Sequence, residues 1–268
     1  MEAMTSSEAL RDIADRYWEA RLEASPLFAT FLGDHRFDDR VDDLSADADA
    51  RQRTIWAGFA AEARAIDPTG LDATDRVTRQ LLIEELDDAT SSIDARFIEL
   101  ASDQMQGIHA ELLTMAGQLR AAEPEHAAMA VLRVRAMGTM LDQAADRYRA
   151  GLAAGRTPAR TCIDRSINQI DGYLGSPLDQ DPFVHLAGPE GWAGEAAWRD
   201  ELRDAVVAGA PEGAVDSDAA LLSAIGSAGN TAYRFKQQKR GTGYGMETAG
   251  AHGVWPGPGG YGSGMRRR

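Results

Sequence analysis

The residues of this chain that could do chemistry are few: five histidines, one cysteine and a run of aspartates near the N-terminus. His35, His109, His126, His185 and His252 never fall within 16 residues of one another. A helix-borne zinc site needs two imidazoles one turn apart with a glutamate between them, and that spacing is absent. Spacing therefore predicts no metal site, and each histidine reads as a surface or internally satisfied side chain. His109 and Glu111 would point to different sides of a helix, which does not suit joint metal binding. Cys162 stands beside Ile163 with no histidine near it, which favours a core thiol over a nucleophile. The stretch DDRVDDLSADADA (residues 38–50) has the acidity of a calcium loop but lacks its central glycine and terminal glutamate. It reads as a solvated loop whose carboxylates complement the start of the next helix. No nucleophile elbow, phosphate-binding glycine loop or dinucleotide fingerprint is present. Gly151 and Gly155 read as a turn at a helix end. By themselves the residues assign no catalytic group.

Any side chain that acts must be positioned by helices. Thr5-Ser6-Ser7-Glu8 has capping-box spacing, and Leu10, Ile13, Ala14 and Tyr17 follow at helical intervals. Pro26 stops that helix and opens a short one, PLFATFLG, closed by Gly33. Ser45 caps a helix with Ile55, Trp56, Phe59 and Ala63 on its inner side, ended by Asp67-Pro68. Thr74 or Asp75 caps the next, which buries Leu82, Ile83 and Leu86. From Glu125 to Gly151 a longer helix carries Met129, Leu132, Ala136, Met140, Ala144 and Tyr148 near one face. Thr157-Pro158 opens another with Ile163, Ile167, Ile170 and Leu174, closed by Gly175. Trp198, Leu202 and Val206 predict a last helix ending at Gly209. No alternating strand and no internal repeat is visible, so the class is all-α.

Composition narrows the function classes. Hydrophobic residues make up 44% and charged residues 26% of 268, which is globular usage. A net charge of −14 opposes general affinity for nucleic acid or an anionic membrane. No apolar run reaches membrane-spanning length, and the N-terminus lacks the features of a secretory signal, so a soluble cytoplasmic protein is expected. A lone cysteine excludes an internal disulfide framework. The charge is uneven. Residues 1–228 hold 41 acidic and 21 basic side chains, every basic one an arginine. Residues 229–268 hold one acidic and seven basic side chains, both lysines (Lys236 and Lys239) and 11 of the 27 glycines. The expected organisation is a helical domain over 1–207, a transition over 208–228, and a disordered Gly-rich basic tail over 229–268. That tail is either native or the product of a shifted reading frame in GC-rich DNA, with its start between Gly209 and Gly229.

YWEARLEASPLFATFLGDHRFDDRVDDLS (residues 17–45) resembles the opening of the bacterial family called domain of unknown function 885. DQMQGIHAEL (103–112) and YRAGLAAGRTPARTCIDRSINQIDGYL (148–174) extend the resemblance, in order, across roughly residues 7–207. The resemblance implies a largely helical, zincin-like metallopeptidase fold about twice this length, with its zinc motif in a second half. Zinc and a peptide-like substrate are thus implied only for full-length relatives, and no catalytic or metal residue is expected in this chain. The expectation is a truncated member, inactive as a hydrolase alone. Two alternatives stay open: a non-enzymatic helical module that complements a separately encoded catalytic half, and an enzyme with an unrecognised acidic or histidine site. Asp34, His35 and Arg36 are the only substrate-channel candidates, against the simpler reading that Asp34 and Arg36 pair to fix the loop. A missing second half would bare apolar faces on the Met129–Tyr148 and Ile163–Leu174 helices and favour self-association.

Overall fold

The computed structural model describes residues 4–208. Among these, eight α-helices run in chain order: α1 (Ser6–Ala24), α2 (Pro26–Phe31), α3 (Ala46–Ala65), α4 (Ala73–Asp94), α5 (Ile108–Ala116), α6 (Pro124–Ala153), α7 (Arg160–Leu174) and α8 (Glu195–Ala208). No strand occurs among the described residues, and a single isolated bridge joins Arg120 to Ala187. The all-α expectation holds. The predicted transition and tail lie outside the described residues.

Two apolar cores organise these helices. The first lies among α1, α3 and α4, where Leu10, Ile13, Trp56, Ala60, Ile83 and Leu86 are buried. Tyr17 meets Trp56 edge to face at 5.6 Å between ring centroids. Each of these three helices starts on a side-chain cap. Thr5 and Glu8 form the reciprocal capping box, Ser45 accepts from the Ala48 N–H, and Asp72 accepts from the Asp75 N–H. The cap of α4 is thus Asp72 rather than Thr74 or Asp75: the helix begins earlier, and Asp75 supplies an amide instead of a carboxylate. Ile55 is 45% exposed because the inner stripe of α3 runs through Trp56, Ala60 and Ala63.

The second core gathers α5, α6, α7 and α8 around Met140, Leu141, Ala144, Ile170, Trp198 and Leu202, with Leu27 of α2 reaching into it. The Trp198 indole donates to the Ala127 carbonyl at 2.8 Å, which ties α8 to the start of α6. Here the predicted starts are less accurate. The first residue of α7 is Arg160, with Ala159 before it and no side-chain cap, so Thr157-Pro158 belongs to the approach. Helix α5 has no side-chain cap at its start, so no local signal in the sequence sets its bounds. Leu132 is 51% exposed, since α6 turns Val131, Val134, Met137 and Leu141 inward instead. Gly151 is a buried helical residue, not a turn: a Cβ there would lie 2.9 Å from the Glu99 Cβ, so glycine lets α6 pass the 97–100 turn. Gly155, at φ +71, does make the turn.

Of the apolar faces expected to be bare on α6 and α7, Met140, Ala144, Tyr148, Ile167 and Ile170 are buried, Met129, Ala136, Ile163 and Leu174 are half-buried, and Leu132 is exposed. Other exposed large apolar side chains include Trp18 of α1, Phe28 and Phe31 of α2, Leu32 just after it, and Val77 and Leu81 of α4.

Candidate functional site

The loop between α2 and α3 carries the candidate residues. Gly33, at φ +86, takes the left-handed conformation that lets the chain leave α2. Asp34 then opens the short turn His35–Phe37 by accepting from the Arg36 N–H at 3.1 Å. The same carboxylate receives the Arg36 guanidinium at 3.0 and 2.6 Å, and Arg36 reaches on to Glu19 of α1 at 2.8 Å. Hydrogen bonding to Arg36 holds the Asp34 carboxyl below its usual range. Asp34 and Arg36 therefore pair and fix the loop.

His35 differs from its neighbours. Its Nδ1 lies 2.8 Å from Asp38 Oδ2, and the carboxylate, an acceptor only, assigns the proton to Nδ1. Asp38 is 4% exposed, so the solvated-loop reading of residues 38–50 fails at this position. Its second oxygen accepts from Thr30 Oγ1 at 2.5 Å and from Arg133 Nη2 at 3.2 Å. Arg133 comes from the middle of α6 and is itself buried. It donates to the Phe37 and Arg40 carbonyls, each at 2.8 Å. Burial pulls this guanidinium below its ordinary value while Asp38 acts the other way; an arginine stays cationic under both influences. Further along α6, Gln143 accepts from the Leu44 N–H at 2.9 Å and Arg147 meets Asp49 at 2.6 Å. One long helix thus holds the loop and the start of α3 at three levels.

The fold also joins two histidines that the sequence kept apart. The His126 ring, at the third residue of α6, stacks on the His35 ring with centroids 4.8 Å apart and planes 24° apart. Spacing could not reveal this, because the pair is made by the crossing of a loop and a helix. His109 is 4% exposed with no hydrogen-bond partner for its Nε2, and burial pulls its pKa down, so it is neither a surface nor a fully satisfied histidine. His185 is exposed and bonds the Asp179 carbonyl. Cys162 is half-buried rather than in a core.

Asp42 is the one carboxyl here with a strongly raised pKa, pushed up to about 6 by burial against the opposing hydrogen bond from the Leu27 N–H. Partial desolvation raises the pKa of Glu111, although the residue as a whole stays exposed, and its charge raises Asp42 further. The zinc implied by the family resemblance finds no fitting ligand set: among the described residues no three His, Cys, Asp or Glu side chains are grouped to hold a metal ion. Among the described residues, no helix is long and apolar enough to cross a membrane.

Compared with known proteins, residues 26–245 match the family described as bacterial protein of unknown function, DUF885. No curated protein matches the chain. The match begins at Pro26, takes in the loop and every helix from α2 onward, and continues through Lys236 and Lys239. It passes the 209–229 interval in which the family-like sequence was expected to stop.

Proposed function

We propose, from the premise that this chain belongs to the bacterial DUF885 family, that residues 4–208 are a positioning scaffold without hydrolytic activity of their own. In this reading they present the Asp34–His35–Arg36 loop toward a peptide-like ligand. A zinc-dependent catalytic centre, in relatives of metallopeptidase type, is supplied by other sequence. The observation that carries the reading is the way the loop is held. Arg133 reaches from another helix to bond two loop carbonyls and the Asp38 carboxylate. Asp34 and Arg36 are already committed to each other. Such groups fix a surface in place, which is what ligand positioning requires. The acidic balance of the chain supports a partner other than nucleic acid, and a cytoplasmic setting agrees with it.

A second reading has its own support. Trp18 and Phe28 meet edge to face at 6.4 Å, and with Phe31 and Leu32 they leave apolar side chains exposed just before the loop, which a helical module that pairs with a separate catalytic protein would need. The two readings share a test on the loop. His35→Ala in a catalytically active relative that carries this loop should lower kcat/KM while its thermal unfolding is unchanged. Unchanged kinetics would leave Asp34, His35 and Arg36 with a structural role only.

A further inference from the structure

We propose that α5 and α7 enclose a binding site for a single internal water molecule, held by His109, Ser166 and Gln169. The orphaned atoms at this seam carry it. Among the described residues, five buried side-chain nitrogens and oxygens have no hydrogen-bond partner in the protein. Three of the five, His109 Nε2, Ser166 Oγ and Gln169 Oε1, belong to these two helices. Buried polar atoms are normally paired, and where no protein group reaches them an ordered water does.

The geometry brings the three together. His109 is 4% exposed near the start of α5, and Ser166 is 1% exposed in the middle of α7. Gly107 fixes the direction of the ring: a Cβ there would lie 2.6 Å from His109 Cε1 and 2.9 Å from Nδ1. That edge is pressed against the backbone, so Nε2 is the nitrogen turned away from it. Gln169 stands close enough to act on the ring, yet neither His109 Nε2 nor Gln169 Oε1 finds a partner. Ser166 lies one turn earlier on α7, at the i, i+3 spacing that makes side chains neighbours. The chemistry of the three selects the ligand. Burial pulls the imidazole pKa down, against the influence of Gln169 and Asp103, so the ring is neutral at pH 7. A neutral imidazole, a hydroxyl and an amide offer an ion no charge to balance it. Water both donates and accepts, so it matches all three whichever ring nitrogen carries the proton. About three bonds are what a buried water usually makes. A seam bridged in this way holds α5 to α7 without a direct polar contact.

The test has two arms. A crystal structure of the full chain should show one water within hydrogen-bonding distance of His109 Nε2, Gln169 and Ser166. In solution, oxygen-17 relaxation dispersion counts long-lived internal waters. The double variant His109→Leu/Gln169→Leu should lose one such water relative to the unmodified protein, whereas His185→Gln loses none. An unchanged count in the double variant would overturn the proposal. So would electron density in the unmodified protein that shows no water and a direct bond from a turned Gln169 amide to His109 Nε2, a result that needs no variant to fold.

Discussion

The two cores of this protein are built by different means. Around α1, α3 and α4, every helix begins on a side-chain cap, the inner faces are apolar, and charged pairs such as Arg53–Asp94 and Arg16–Glu62 lie at the surface. Around α5, α6 and α7 no side chain caps any helix start, and charge is taken inside at Arg133, Arg147, Glu99 and Asp181. The first region is organised by local signals and the second by contacts between distant segments. What joins them is polar as well as apolar: Leu27, Val41 and Leu44 pack on the second core, and ion pairs and hydrogen bonds are added to these. The α2–α3 loop and the start of α3 are bonded to α6 through Arg133, Gln143 and Arg147. The candidate loop therefore takes its position from the region whose order is least local.

Breaking the joint should have the largest effect. Arg133→Met leaves the Asp38 carboxylate buried without its cation and two carbonyls without a donor. The expected loss is about 3–5 kcal/mol of stability, measured by urea unfolding. Arg53→Ala, which opens a surface pair in the first region, should cost about 0.2–1 kcal/mol. Equal losses would mean that the joint is no different from the surface.

Asp42 sharpens the comparison through pH. Its pKa in the folded protein, about 6, lies above that of an unfolded aspartate because burial penalises the charged form. The folded state thus holds the proton more tightly. Its contribution to stability is fully present below the unfolded pKa and is lost as pH rises through about 6. Asp42→Asn should stabilise the protein at pH 7.5 by on the order of 1–3 kcal/mol and remove that part of the pH dependence. Denaturant midpoints across pH 4–8 that are no different in the variant would count against a raised pKa at the half-buried Asp42.

The local signals belong, with the surface pair, at the small end. Asp72→Ala removes the cap of α4 and should cost about 1 kcal/mol, read as a small fall in urea midpoint. In the same assay Ala159→Ser, at the uncapped start of α7, should be neutral or stabilising.

This contrast explains what the sequence revealed. The starts of α1 and α3 were legible because Thr5, Glu8 and Ser45 act within one turn of where they stand. Trp56, Leu82 and Leu86 were legible as core because apolar period and burial coincide there. Helix α5 was not, since Gly107 begins it without a capping side chain and His109 interrupts its apolar run. In the candidate site, the Asp34–Arg36 pair could be anticipated from its two-residue spacing. Arg133 and His126 could not, because each meets the loop across more than 90 residues of chain. Their polar side chains on a predicted helix look like any solvated residue. Asp38 was hidden for the same reason: in an acidic run, nothing local distinguishes the one carboxylate that meets a buried arginine.

We propose that this chain positions a ligand and does not hydrolyse it. The most direct measurement is to incubate the purified full chain, with zinc supplied, with a diverse peptide mixture and follow the products by mass spectrometry. The account predicts no cleavage above a no-protein control. Turnover that a chelator abolishes and zinc restores would contradict it.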